Sequence, residues 1–224
     1  YLTRAFVTTT RLRKEKAADA IAIKGDMDII RRQEESLLKF TDNSEYVVVC
    51  IVDIQDSTLI TSKLSEPETA QLYSAFDHVM SDIIISHGGT IVKSMGDAIL
   101  YYFKTSYPSS KNDYLPAIDC CLDMIESNKA LNSRLPKKSF PKINYRISAV
   151  YGSVMFASKN DVHDIFGSTV NQSSKINRFA KTNGLVISEE IHDSIKSEKT
   201  YKTEKTKDAV RVEYGHGVYH VSRA

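Results

Sequence analysis

Asp53 closes the run Val48-Val49-Cys50-Ile51-Val52-Asp53-Ile54-Gln55-Asp56-Ser57-Thr58, an apolar stretch that ends in carboxylates. Asp97 lies in Thr90-Ile91-Val92-Lys93-Ser94-Met95-Gly96-Asp97-Ala98-Ile99-Leu100-Tyr101-Tyr102-Phe103, two apolar runs hinged on Gly96-Asp97. An acid at the end of a buried strand and another at a hairpin tip can converge on one point. Two such carboxylates can hold a pair of Mg²⁺ ions, the apparatus of phosphoryl transfer. Each also has a plainer use: Asp53 as the cap of a following helix, Asp97 as a turn residue.

The elements that must position these acids follow from periodicity. The apolar run at 46–52 reads as a buried strand. Ser65-Glu66-Pro67-Glu68 is a capping box with proline in the first turn. Leu72, Phe76, Val79, Met80, Ile83 and Ile84 then share one helical face, and Gly88-Gly89 ends the helix. Strands at about 90–95 and 98–104 flank the hinge. A helix over about 113–133 carries Leu115, Ile118, Leu122 and Ile125 as its stripe. Segments 143–149 and 153–157 read as a hairpin around Tyr151-Gly152. A helix over about 168–182, a strand at 185–187 and a small helix come next. The lysine-rich stretch 196–207 reads as a solvated loop or hairpin, and strands near 209–214 and 218–222 close the chain. The order β-α-β-β-α-β with additions is the split βαβ arrangement of an α+β ferredoxin-like core, with an extra C-terminal hairpin.

Residues 1–42 form a separate N-terminal extension ahead of a domain over 43–224. Within it Ala20, Ile23, Met27, Ile30, Glu34 and Leu37 recur at heptad spacing, which suits either a surface helix or a short dimer stalk. The first residue is Tyr1 rather than methionine, so an upstream sensor or membrane segment is compatible with this chain.

Composition narrows the classes. The 224 residues carry a formal net charge of +2, with 42% hydrophobic and 9% aromatic residues. That is an ordinary globular balance, without the field expected of a nucleic-acid or anionic-membrane binder. No apolar run is long enough to insert in a bilayer. Three cysteines, Cys50 in a strand and Cys120-Cys121 in a helix, suit reduced thiols and a cytoplasmic setting. The histidines show no metal spacing, and no Ser-His-Asp order, P-loop or zinc pattern is present.

Three motifs in order resemble the class III nucleotidyl cyclase catalytic domain, the family of adenylyl and guanylyl cyclases. They are Asp53-Ile54 with Ser57-Thr58, then Lys93-Ser94-Met95-Gly96-Asp97, then Asp164-Ile165-Phe166-Gly167-Ser168-Thr169-Val170-Asn171 leading to Lys175. The resemblance spans about residues 45–222. It implies Asp53, the Ile54 carbonyl and Asp97 as ligands of two Mg²⁺ or Mn²⁺ ions. It implies Lys93 and Asp164 as the adenine-reading pair, since lysine can donate to N1 and a carboxylate can accept from the N6 amine. The guanylyl branch typically has glutamate and a small residue there. Asn171 matches the asparagine that orients the ribose, and Lys175 stands where an arginine usually meets the phosphates, with Arg178 one turn on as a substitute or a surface residue. Asp56 replaces a common glycine and is expected to point outward as a helix cap. His216 stands where many relatives have a phosphate-contacting lysine.

The resemblance therefore implies an adenylate cyclase, converting ATP to cyclic AMP and pyrophosphate in signal transduction. It also implies a homodimer with shared sites, because this chain carries both the metal set and the base-ribose set. Lys175, Asp56 and His216 keep open a second reading, a catalytically weak or silent nucleotide-binding regulatory domain. A cyclic-dinucleotide synthase is unsupported, because the hairpin tip is Met-Gly-Asp rather than Gly-Gly followed by two acids.

Overall fold

The buried run that ends at Asp53 lies near the middle of an eight-stranded sheet, in a computed structural model that describes residues 39–106, 109–136, 140–159, 162–206 and 217–224. In chain order the elements are β1 (Lys39–Ile54), α1 (Ser57–Thr61), α2 (Glu66–Ser86), β2 (Thr90–Ser94), β3 (Ala98–Lys104), α3 (Lys111–Arg134) and β4 (Tyr145–Lys159). There follow β5 (Val162–Phe166), α4 (Ser168–Asn177), β6 (Gly184–Ser188), α5 (Glu189–Ile195), β7 (Tyr201–Lys205) and β8 (Val218–Arg223). The sheet order is β2-β3-β1-β4-β6-β8-β7, with β5 paired to β4. Its first four strands with α2 and α3 are the expected β-α-β-β-α-β core. The chain divides into a smaller unit, 1–40 with 157–163, and a larger one, 41–156 with 164–224. Of the smaller unit the described residues are only strand ends of β1, β4 and β5.

β1 reads as a continuous apolar run because both of its faces are covered. Val48, Cys50, Val52 and Ile54 join the main core with Leu72, Phe76, Met80 and Ile84 of α2 and Ile118, Cys121 and Leu122 of α3. Val47, Val49 and Ile51 join a second cluster with Leu100, Tyr102, Val154 and Ile165. Side chains alternate along a strand, so Asp53 projects to the second face, away from the two long helices. The three cysteines are buried and unbridged.

Local signals hold α2 as expected. The Ser65 N–H donates to Glu68 Oε2 at 2.9 Å, and the Gly89 N–H returns to the Ile84 carbonyl at 2.9 Å. α3 begins two residues before expectation because Ser110 and Asp113 form a second capping box.

Other expectations differ from the structure or are narrowed by it, and three fall outside the described residues. β4 runs unbroken from Tyr145 to Lys159, so there is no hairpin at Tyr151-Gly152. Gly152 is required by a close approach: a Cβ there would stand 2.4 Å from Thr169 Oγ1. α4 stops at Asn177, because the chain must turn back through Asn183 (φ 49°) to run parallel to β4 in β6. β8 lies between β6 and β7, and β7 falls within the stretch read as a solvated loop or hairpin, so the hairpin alternative is the one found. The heptad segment at 20–37, the strand expected at 209–214 and His216 fall outside the described residues. No helix among the described residues is long and apolar enough to cross a membrane.

Candidate active site

Asp53 and Asp97 are brought together by strand pairing. Asp53 is opposite Ala98 in the antiparallel β1–β3 register, which puts Asp97 one residue beyond the end of that ladder. The Ile54 N–H donates to the Asp97 carbonyl at 2.8 Å, so the backbones touch at the site itself. Gly96 makes the turn possible with φ 84°, a conformation that a side chain would strain. The Met95 N–H closes the turn on the Ala98 carbonyl at 2.7 Å. Ser57, in the first turn of α1, donates its hydroxyl to Asp97 Oδ2 at 2.6 Å.

The electrostatics agree with this proximity. Burial, and next the charge of Asp97, push the Asp53 carboxyl above the usual carboxylate range, while Arg146 pulls the other way. Arg146 extends from β4 toward the same face, and its Nε is buried without a hydrogen-bond partner among the described residues. Two half-buried carboxylates with little to neutralise them form a donor set that a hard divalent cation fits. No cluster of three or more His, Cys, Asp or Glu residues suited to a metal occurs among the described residues. Two carboxylates are enough for Mg²⁺, which commonly uses one or two and takes its remaining oxygens from water and substrate phosphate.

Lys93 and Asp164 form a second pair. Lys93, at the bulged end of β2, places Nζ 2.6 Å from Asp164 Oδ2 on β5. The Ile165 N–H donates to Asp164 Oδ1 at 2.8 Å and fixes that carboxylate.

Asn171 and Lys175 are exposed on α4, one turn apart. The opposite side of the helix is pinned to the sheet by small polar groups. Ser148 Oγ donates to the Ser173 carbonyl at 2.9 Å, and Asn177 Nδ2 donates to the Ile51 carbonyl at 3.1 Å. Arg178 stacks over the Phe179 ring at 4.9 Å, which favours its reading as a surface residue. Asp56 is exposed at the N-cap position of α1, as expected. It nonetheless makes no capping bond with its side chain and takes a left-handed backbone instead, φ 57°. His87 and His192 are occupied locally, His87 by Asp123 at 3.1 Å and His192 by stacking on Tyr219.

The structure thus joins Asp53 to Asp97 and Lys93 to Asp164, and sets Asn171 and Lys175 on one exposed helix face. Sequence reading missed Arg146. The available signal was a charged residue at the second position of a strand that is otherwise rich in apolar residues.

The chain belongs to the adenylate and guanylate cyclase catalytic domain family, whose model matches residues 41–221. It is 25% identical over 141 residues to an adenylate cyclase of Streptomyces coelicolor, covering 63% of this chain and 32% of that protein. The first curated relatives are matched over only 22–32% of their own length. Its fold is similar to that of an adenylyl cyclase from P. aeruginosa, with a TM-score of 0.70, 21% identity, and coverage of 81% of this chain and 96% of that one. It is equally similar to the guanylyl cyclase Cya2, with a TM-score of 0.68, 20% identity, and coverage of 81% and 94%. Backbone shape alone therefore does not select the base.

Proposed function

We propose that this domain is an adenylate cyclase that converts ATP to 3′,5′-cyclic AMP and pyrophosphate. The observation that carries the choice of ATP is the Lys93–Asp164 pair. Adenine offers an acceptor at N1 and a donor at N6, matching an ammonium and a carboxylate set side by side. Guanine offers a carbonyl and a protonated N1 on that edge, and the same pair would repel it.

Asp53, Asp97 and the Ile54 carbonyl would hold the divalent cations, which on binding lower the pKa of the ribose 3′-hydroxyl and neutralise the triphosphate. The 3′-oxygen gives up its proton and bonds to the α-phosphorus as the bond to pyrophosphate breaks. Asn171 orients the ribose. Lys175 supplies positive charge to the phosphates, though without the two-pronged fork of an arginine. Arg146, half-buried beside Asp53 and with an Nε unpartnered among the described residues, would meet another phosphate oxygen.

Each protomer carries both residue sets, which supports a head-to-tail homodimer with two equivalent sites. Lys175 in place of arginine is the feature that favours the second reading, a nucleotide-binding domain with little turnover. Incubation with ATP and Mn²⁺ separates the two. The proposal expects cyclic AMP from the native chain and a loss of at least ~100-fold in Asp97→Ala. Equal product from both chains, or none from either, would contradict it.

A further inference from the structure

We propose that Tyr73 and Asp77, one turn apart on α2, are positioning residues that clamp the turn carrying Asp97 and so set its geometry for a divalent cation. The inference rests on reading Asp53 and Asp97 as metal ligands.

Residues i and i+4 share a helix face, and here that face meets both arms of the β2–β3 turn. Asp77 Oδ1 accepts a hydrogen bond from the Ser94 hydroxyl on the entering arm. The Tyr73 ring covers Gly96 on the exit: a Cβ at Gly96 would sit 3.4 Å from Tyr73 Cε2. The Tyr73 side chain also faces Thr61, the last residue of α1. Thr61 Oγ1 donates to the Ser57 carbonyl at 3.0 Å, and Ser57 Oγ donates to Asp97 Oδ2 at 2.6 Å. The turn and the hydroxyl that grips its carboxylate are thus tied to the same helix face. α2 is itself immobilised in the core through Leu72, Phe76 and Met80, all fully buried.

The physical need is plain. Without a cation, the neighbouring carboxylate of Asp53 repels that of Asp97, and an unsupported turn would relieve this by swinging Asp97 outward. Hydrogen bonds made by groups behind metal ligands commonly matter about 10- to 100-fold in affinity. Lys93 directly precedes Ser94, so the same clamp fixes the base of the nucleotide-reading lysine.

The test is Mn²⁺ binding to the full chain, followed by the paramagnetic signal of free Mn²⁺, in the native protein, Asp77→Ala, Ser94→Ala and Asp97→Ala. Asp97→Ala should abolish the tight site. Asp77→Ala and Ser94→Ala should each weaken it about 10-fold, and the double variant no further, because both break the same hydrogen bond. Their metal-free melting temperatures should match the native value. Native-like Mn²⁺ affinity in both would overturn the clamp while leaving the metal reading intact. Weakening only in step with a lowered melting temperature would also overturn it, assigning Asp77 to the fold alone. Native binding that survives Asp97→Ala would remove the metal reading and the clamp together.

Discussion

Lys93 Nζ and Asp164 Oδ2 meet at 2.6 Å although 71 residues separate them in the chain. The bond joins β2 at one edge of the sheet to β5, which hangs off β4. On the proposed reading an adenine edge replaces this one contact with two. Lys93→Glu together with Asp164→Ser should therefore reverse the preference, raising the ratio of cyclic GMP to cyclic AMP at least ~100-fold, the value of about two directional hydrogen bonds. A double variant that still prefers ATP would contradict the assignment of the pair.

Asp53 is held above the ordinary carboxylate range, chiefly by burial and then by Asp97. The folded state thus binds this proton more tightly than the unfolded chain. Its contribution to stability falls as pH rises from the ordinary Asp range through the raised value. At pH 7 without metal, Asp53→Asn should melt about 1–3 °C higher than the native chain. Mn²⁺ should raise the native melting temperature and leave that of Asp53→Asn nearly unchanged. A lower metal-free melting temperature in the variant would contradict the claim of mutual repulsion.

If each site is shared between protomers, Asp53→Ala and Asn171→Ala damage opposite halves of it. Each variant alone should be inactive. An equal mixture should regain roughly a quarter of native activity, because half of random dimers are mixed and each has one intact site of two. Activity assays on the mixture test this, and no recovery would contradict the shared site.

Gly152 is held in place by Thr169, whose Oγ1 also donates to the Ser153 carbonyl at 2.7 Å. Gly152→Ala should cost about 1–3 kcal/mol through overpacking. Adding Thr169→Ala should recover part of that loss in a double-mutant cycle read by denaturant unfolding. Simple additivity would contradict the contact.

His220 is held below its ordinary pKa, first by burial and then by Lys181, with Glu204 opposing. The unfolded chain takes up this proton first as pH falls. The stability it contributes is full above the ordinary histidine value of about 6.5 and declines below it. Replacing it by asparagine should flatten the fall in melting temperature between pH 7 and 5. An unchanged slope would contradict this.

The strands and helices that carry Asp53 and Asp97 were legible because their signals are local: an apolar run, a capping box, and a Gly-Asp hinge between two apolar runs. The meeting of Lys93 with Asp164 came through family resemblance, since no spacing rule links residues so far apart. Gly152 was misread because a glycine needed for close approach looks, in sequence, like one needed for a turn. For β7 the sequence allows both loop and hairpin, because an exposed edge strand of lysine, threonine and glutamate lacks the apolar alternation of an inner strand. Arg146 escaped notice because its neighbours in space, Asp53 above all, come from other strands.

The most direct measurement is anomalous diffraction from crystals grown with Mn²⁺ and a non-reactive ATP analogue. The account predicts metal peaks lying within about 2.0–2.3 Å of carboxylate oxygens from both Asp53 and Asp97. Peaks bound elsewhere, or touching one aspartate while the other points away, would contradict it.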